Sequence, residues 1–254
     1  MSQVPAATRA LEALKLLAAA PGPVTAASLS RGLSLPRSST YHLLEAMREA
    51  GFVVHLPEDG RWALGVAAFE VGAAFSRHDP LVSLARPLLQ RLVRSAGETR
   101  VVAYLGVLHG SELLYVAKVE GKRLPIVTEV GVRLPAALTA SGRAMLAGLP
   151  TQQVRANFST AQAFVDRTGL GPRDWPSLRL LLDEERRRGW SEEDGFISEG
   201  FASVAAAVRN HLHRPIAALG LTFESTTTPG RVRAALASQV MRSAEQLSKR
   251  LGER

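Results

Sequence analysis

The chain has 254 residues, of which 46% are apolar, and it carries a formal net charge of +8 and no cysteine. This length suits one or two domains with hydrophobic cores, and the lack of cysteine excludes disulfides, thiolate zinc sites and a cysteine nucleophile. The sequence shows neither a basic and apolar leader nor an uncharged apolar run of about 18 residues, so we expect a cytoplasmic protein with no membrane partner.

Three helices are predicted near the start of the chain. Thr8 begins a helical repeat of leucines that stops before Pro21. Thr25 is a typical N-cap for a short second helix, which we expect Gly32 to end. Pro36 suits the first turn of a longer third helix. A short helix, a tight turn and a longer helix form the helix-turn-helix arrangement.

The third helix has two different sides when its residues are placed at intervals of about 100°. The inward side, which should pack against the other helices, consists of Thr40, Leu43, Leu44 and Met47. The outward side consists of Ser38, Tyr41, His42, Glu45 and Glu49. Short hydroxyl side chains near a helix N-terminus allow close approach to phosphate, and longer polar side chains reach base edges in the major groove. The pattern is typical of a recognition helix, and an amphipathic helix with a merely solvated polar side is the alternative.

A β-hairpin is predicted directly after the third helix. Apolar residues alternate over 52–56 and over 62–64, on either side of a turn at 57–60. A hairpin in this position corresponds to the wing of a winged helix-turn-helix. Arg61, beside its tip, is placed to enter a minor groove or to hold a phosphate. A solvated turn arginine is the alternative.

The rest of the chain predicts a connecting helix followed by an α+β domain. Helical spacing continues from Val66 to Ser76, which indicates a linker that also helps dimerisation, with a plain connector as the alternative. A longer amphipathic helix follows over 81–96, and a closing helix is predicted over 231–251. The predicted strands are 101–107, 112–119, 124–130, 203–208 and 215–223. Successive strands with short connections indicate an antiparallel sheet flanked by helices.

Nine blocks of sequence occur in the order typical of one regulator family. They include LPRSSTYHLL at 35–44 and TASGRA at 139–144, and the others are 8–11, 51–53, 60–65, 97–99, 115–120, 129–135 and 188–190. In these blocks the chain resembles the IclR-type transcriptional regulators. From the predicted helices and wing together with this resemblance, we expect DNA contacts at Arg9, Thr25, Arg37, Ser38, Ser39, Thr40, Tyr41, His42 and Arg61.

The same resemblance implies the domain organisation and the partners. We expect a winged helix-turn-helix domain at 1–65, a linker helix at 66–80, and a GAF-like α+β domain for effector binding and oligomerisation at 81–254. The expected protein is a homodimer, with a homotetramer left open. It binds a palindromic double-stranded DNA operator, as repressor or activator, under the control of a small organic or aromatic acid.

The start of one later helix is expected to receive the carboxylate of that effector. Thr139 is a typical N-cap for a helix that begins at the next residue. The N–H groups of Ala140, Ser141 and Gly142 would then form a small anion site. The resemblance implies that the effector binds at this turn, and a simply capped helix is the alternative.

The resemblance implies four further effector contacts, at Glu193, Ser203, Gly220 and Thr222. Ser203 and Thr222 each offer a hydroxyl group, and Gly220 is expected to leave room for a bulkier ligand. Glu193 is expected to accept a ligand hydroxyl, with a surface loop carboxylate as the alternative.

Three positions depart from the family pattern. Ala137, Arg143 and Ala207 stand where the family often has histidine, lysine and proline. The arginine keeps the positive charge of lysine but changes the geometry of its hydrogen bonds.

No pattern in the sequence indicates catalysis. The G-x-S-x-G, H-E-x-x-H and P-loop motifs are missing, and His211 and His213 have no further ligand cluster beside them. We therefore expect no enzyme, no catalytic or metal-ligating residues and no cofactor. The alternatives to a regulator are a small-molecule-processing enzyme, whose catalytic residues are set by geometry rather than by order, and an architectural DNA-binding protein.

Overall fold

The computed structural model describes residues 4–122, 124–125 and 128–252. The chain divides into two compact units, Met1–Asp79 and Pro80–Arg254. No helix in the described ranges combines the length and the apolar character needed to cross a membrane.

The first unit contains four helices and a small three-stranded sheet among its described residues. Its elements are α1 (Pro5–Ala19), β1 (Val24–Thr25), α2 (Ala26–Leu33), α3 (Arg37–Glu49), β2 (Val53–Leu56), β3 (Arg61–Leu64) and α4 (Val66–His78). The sheet has the order β1-β3-β2 and is antiparallel. Its core contains Ala13, Leu17, Leu29, Leu33, Leu44, Met47, Val53 and Trp62. The helix-turn-helix and its hairpin are confirmed.

The turn between α2 and α3 differs from the prediction. Helix α2 runs through Gly32 to Leu33, and Ser34 adopts the left-handed conformation with φ 52°. Gly32 instead lies within α2 beside α1, where a Cβ would be 2.8 Å from Leu16 Cδ1. Pro36 lies immediately before α3, as its N-cap.

The second unit is an α+β domain. Its helices are α5 (Pro80–Ser95), α6 (Ala140–Ala147), α7 (Thr151–Asn157), α8 (Trp175–Arg188) and α9 (Gly230–Gly252), with a short 3-10 helix at Ala161–Ala163. Its strands are β4 (Val101–His109), β5 (Glu112–Glu120), β6 (Arg133–Pro135), β7 (Ser191–Asp194), β8 (Phe201–Arg209) and β9 (Pro215–Glu224). They form one antiparallel sheet in the order β6-β5-β4-β9-β8-β7, which confirms the predicted fold class.

Two hydrophobic cores cover the two faces of this sheet. One core packs α5 and α9 against the sheet through residues such as Leu88, Leu219 and Leu247. The other packs α6, α7 and α8 against the opposite face, with Leu146 and Leu182 among its residues. The second face is the one that positions the candidate site described below.

The strand predicted over 124–130 is wrong for the described residues of that segment. Leu124, Pro125 and 128–130 do not belong to a strand, and 126–127 lie outside the described residues. The helix α8 and the strand β7 were not predicted, although Asp174 and Ser177 form a capping box at the start of α8 and Gly189 ends it in the left-handed conformation.

Candidate functional site

The outward side of α3 is polar and exposed, as its sequence pattern indicates. Arg37, Ser38, Ser39, Tyr41 and His42 are all exposed, and together they occupy the first half of the helix. No hydrogen bond or ion pair holds any of these five side chains within the part of the chain that the structure describes. The structure therefore leaves this side of α3 free for a partner.

Thr40 is placed differently from the other predicted DNA contacts. Its side chain is fully buried, and its hydroxyl donates to the carbonyl oxygen of Pro36 over 3.0 Å. A buried side chain that already has a partner cannot reach a DNA surface. Thr40 therefore fixes the start of α3 instead of contacting a partner.

The remaining three candidates in the first unit already have contacts within the chain. The Arg9 guanidinium forms an ion pair with Glu12, with 2.8 Å between Nη1 and Oε2. The Thr25 hydroxyl caps α2 by accepting from the N–H group of Ser28. The Arg61 guanidinium is exposed beside the hairpin tip and donates to the carbonyl of Pro23 over 3.2 Å. None of these contacts consumes all the donors of either arginine.

A cavity of about 390 Å³ lies in the second unit, within the size range of small-molecule sites. Its wall combines aromatic and aliphatic side chains with a few polar groups. The lining residues most relevant to ligand chemistry are Tyr104, Tyr115, Arg133, Thr139, Arg167, Glu193, Ile197, Phe201, Ser203 and Thr222. Three of the seven predicted effector contacts, Glu193, Ser203 and Thr222, are therefore brought together in one cavity.

These three side chains form a continuous chain of hydrogen bonds. The Ser203 hydroxyl donates to Glu193 Oε1 over 2.7 Å and lies 3.0 Å from the Thr222 hydroxyl. This contact follows from the sheet, because Ser203 pairs with Glu193 on β7 and with Thr222 on β9. Glu193 is thus a buried cavity residue instead of a surface carboxylate.

The environment of Glu193 favours its neutral form. Burial raises the pKa of this carboxyl to about 7, because a charged group loses its hydration in an apolar site. The hydrogen bonds from Ser203 and from the N–H groups of Phe196 and Ile197, and the positive charge of Arg143, oppose this rise in pKa. A carboxyl group with a pKa close to neutrality is typical of functional sites.

Two tyrosines that were not predicted as site residues form part of the cavity wall. The rings of Tyr104 and Tyr115 lie 4.4 Å apart between centroids. Burial is the largest effect on both phenols and raises the pKa of each, so both stay neutral donors. The Tyr104 hydroxyl donates to the carbonyl of Thr128 over 3.2 Å. Each tyrosine lies in an apolar run that predicts a strand, but a single sequence does not indicate that β4 and β5 bring the two rings together.

The start of α6 corrects two predictions. The Thr139 hydroxyl caps the helix by accepting from the Gly142 N–H over 3.0 Å, so this N–H is not free for an anion. Ala140, Ser141 and Gly142 do not line the cavity, whereas Thr139 does. Gly220 leaves no extra room for a ligand, because a Cβ there would lie 2.7 Å from Ser141 Oγ.

The three departures from the family pattern lie in different places. Ala137 is buried, and Ala207 is half-buried away from the cavity. Arg143 is fully buried and pairs with Glu185. Among the described residues, no three histidine, cysteine or acidic side chains are grouped to hold a metal ion.

Two regions of the chain match known protein families. Residues 6–57 match the IclR helix-turn-helix domain, and residues 73–249 match the C-terminal domain of the bacterial transcriptional regulator IclR. A curated relative, the acetate operon repressor of Salmonella typhimurium, is 30% identical over 252 residues, which cover 97% of this chain and 89% of the relative.

Solved structures share the fold. A regulator from Alicyclobacillus acidocaldarius is 21% identical, with a TM-score of 0.85 and coverage of 99% of this chain and 100% of that one. An IclR homologue from Microbacterium hydrocarbonoxydans, solved in complex with 4-hydroxybenzoate, is also 21% identical. It has a TM-score of 0.80 and coverage of 97% of this chain and 98% of that one.

Proposed function

This chain belongs to the IclR family of bacterial transcriptional regulators, and from that premise we propose how it recognises DNA and which effector controls it. It is a DNA-binding regulator with an effector-binding C-terminal domain. The proposal concerns the residues that perform each task, the oligomer and the chemistry of the effector. The relative from Salmonella typhimurium is named a repressor, which supports repression of transcription as the activity of this regulator.

The exposed side of α3 inserts into the major groove of the operator. Arg37, Tyr41 and His42 contact base edges or phosphates, while Ser38 and Ser39 allow the backbone to approach a phosphate. Their exposure and lack of partners within the described chain support this assignment. The wing residue Arg61 holds the adjacent DNA backbone or enters the minor groove, and we assign Arg9 and Thr25 to further DNA contacts.

The regulator acts as a homodimer in the cytoplasm. Leu11 on α1 and Phe69 and Val71 on α4 are apolar and at least 60% exposed in the single chain, which is typical of a surface that a partner covers. Two copies related by a twofold axis place their α3 helices in successive major grooves, about 34 Å apart on a palindromic site.

The effector is an aromatic hydroxy acid. The observation that carries this proposal is the buried chain of Glu193, Ser203 and Thr222 inside a cavity lined by the rings of Tyr104, Tyr115 and Phe201. The ring of the effector packs against the aromatic wall, and its hydroxyl joins the hydrogen-bonded chain.

The carboxylate of the effector pairs with arginine at the cavity wall. Arg167 is exposed and lines the cavity, and its side chain has no ion pair or hydrogen bond within the described residues. Arg133, also in the lining, already pairs with Glu112 over 3.4 Å. We therefore assign the carboxylate to Arg167. The complex of a relative with 4-hydroxybenzoate supports this ligand class.

The effector changes DNA affinity only by binding one arrangement of the dimer more tightly than another. Titration calorimetry with 4-hydroxybenzoate, benzoate and 4-methoxybenzoate tests the proposed chemistry. We expect 4-hydroxybenzoate to bind most tightly, because benzoate lacks the hydroxyl and the methoxy compound cannot donate a hydrogen bond. Equal affinity for all three acids would contradict the proposed contact with the ring hydroxyl, and no binding of any would exclude 4-hydroxybenzoate as the effector.

A further inference from the structure

A second cleft lies in the second unit, and it shares no lining residue with the cavity described above. Its volume is about 400 Å³. We call it the arginine cleft, because Arg186, Arg209 and Arg214 all line it. The other lining residues are Ala147, Gly148, Leu149, Pro150, Gln153, Leu212 and His213, and none of them is acidic.

The three arginines come from two separate parts of the sequence, α8 and the β8–β9 hairpin. Arg186 belongs to α8, Arg209 ends β8, and Arg214 lies in the turn between β8 and β9. The end of α6 and the start of α7 complete the wall. Four elements therefore contribute to the wall of one cleft. Such an arrangement is typical of a binding site, whereas solvated arginines are usually spread over a protein surface.

Two of the three guanidinium groups are held in place by backbone. Arg186 Nε donates to the carbonyl of Ala147 over 2.8 Å, and Arg209 Nη1 donates to the carbonyl of His213 over 3.1 Å. Arg209 also lies on Gly148, where a Cβ would be 2.9 Å from its Nη1. These contacts fix the positions of both cations without neutralising them.

The charge of the cleft is largely uncompensated. Arg186 has an acidic partner, Asp183, over 2.6 Å, but Arg209 has none among the described residues. The Arg214 side chain has no hydrogen bond or ion pair with any described residue. The position of Arg186 has a structural explanation, because its guanidinium caps the carbonyl end of α6. This role does not explain why Arg209 and Arg214 line the same cleft.

We propose that the arginine cleft binds a phosphorylated small molecule. Guanidinium groups match the oxygens of a phosphate with paired hydrogen bonds, and a phosphate ester carries close to two negative charges with three acceptor oxygens. Leu149, Pro150 and Leu212 provide an apolar wall for the carbon skeleton of such a ligand. The volume also falls within the range of small-molecule sites.

Titration of the full-length protein with inorganic pyrophosphate at constant ionic strength tests this proposal. We expect saturable binding to one site per chain, and Arg214→Glu should weaken it at least tenfold, or about 1.4 kcal/mol. Arg214 is exposed and its side chain holds no described partner, so this substitution leaves the fold intact. Arg94→Glu, on the exposed side of α5, makes the same charge change and should leave the affinity within about threefold.

Two further arms test whether the arginine cleft is separate from the effector cavity and selective for phosphate. The double variant Ser203→Val/Thr222→Val alters the effector cavity and should bind pyrophosphate like the wild type. Succinate, a dianion without phosphate geometry, should bind at least tenfold more weakly than pyrophosphate. The proposal is overturned if Arg214→Glu and Arg94→Glu weaken binding equally, if the double variant loses pyrophosphate binding, or if succinate binds as tightly.

Discussion

Arg143 and Glu185 form an ion pair inside the second unit, with 2.9 Å between Nε and Oε1 and with both side chains fully buried. The same guanidinium donates to the carbonyls of Ala137 and Leu138, before α6, and to the carbonyl of Glu192 on β7. Burial raises the pKa of Glu185, and the charge of Arg143 opposes that rise. This single side chain therefore joins α6, α8 and the strand that carries Glu193.

Replacing Arg143 should destabilise the second unit strongly. Arg143→Ala removes the donor of the buried Glu185 carboxylate and of three carbonyl groups, and breaking a buried pair costs about 3–5 kcal/mol. Urea unfolding monitored by circular dichroism measures the loss. Arg48→Ala removes an exposed ion pair with Glu45 and should leave the midpoint almost unchanged. Similar midpoints for both variants would contradict a structural role for Arg143.

Protonation of Glu193 should make stability depend on pH. Burial raises the pKa of this carboxyl from 4.5 to about 7 in the folded protein, whereas the unfolded chain loses the proton near the lower value. The free energy of unfolding should therefore fall as pH rises from about 4.5 to about 7, by up to about 3 kcal/mol. Urea midpoints measured across this range test it. Glu193→Gln does not titrate at this position, so its stability should depend less on pH than that of the wild type. An unchanged pH dependence would mean that other groups cause it.

Substitutions on the exposed side of α3 should weaken operator binding. Arg37→Ala and His42→Ala should each cost about 1–3 kcal/mol if the residue reads a base. Arg37→Ala should reduce the salt dependence by about one ion if Arg37 instead contacts a phosphate, because a bound cation releases a counterion from DNA. Fluorescence anisotropy with a labelled operator at several salt concentrations distinguishes the two. Arg94→Ala, in the second unit, is the control. Unchanged affinity in both α3 variants would remove α3 from the DNA interface.

Removal of two hydroxyls from the cavity should uncouple the effector from DNA binding. Ser203→Val/Thr222→Val removes both hydroxyls and so breaks the hydrogen-bonded chain to Glu193. Valine keeps the shape of Thr222 and adds one methyl group at residue 203. The affinity for the effector should fall at least tenfold, since partners left unsatisfied in a buried site cost about 1–3 kcal/mol. Operator affinity without effector should match the wild type. A normal response of the double variant would place the effector elsewhere.

The elements that carry strong local signals were predictable from sequence. The spacing of Leu44 and Met47 against Tyr41 and His42 indicated the two sides of α3, because a helix repeats every 3.6 residues. The wing was predicted from alternation and turn residues, and the long strands β4, β5, β8 and β9 from strand-like runs with short connections. Helix α8 has comparable signals in Asp174 and Gly189, so it too is predictable from its ends.

The details of the cavity depend on contacts between distant residues, which no local pattern specifies. The pairing of β8 with both β7 and β9 brings Ser203 to Glu193 and Thr222. The use of the Gly142 N–H by Thr139, and the filling of the space at Gly220 by Ser141, follow from side-chain positions. Similarly, α2 continues for one residue past Gly32, so that Ser34 rather than Gly32 takes the left-handed conformation.

The junction between the wing and α4 has a mechanical consequence. The Ala67 N–H donates to the carbonyl of Gly51, and the Gly65 N–H to the carbonyl of Phe52. A Cβ at residue 65 would lie 2.2 Å from that Gly51 oxygen, so the backbones meet too closely for any side chain. Helix α4 has 13 residues and a length of about 20 Å, and it is thus joined at its first turn to the backbone between α3 and β2. A tilt of about 10° at this junction would displace the far end of α4 by about 3 Å, so we expect a small movement at the junction to be magnified along the helix.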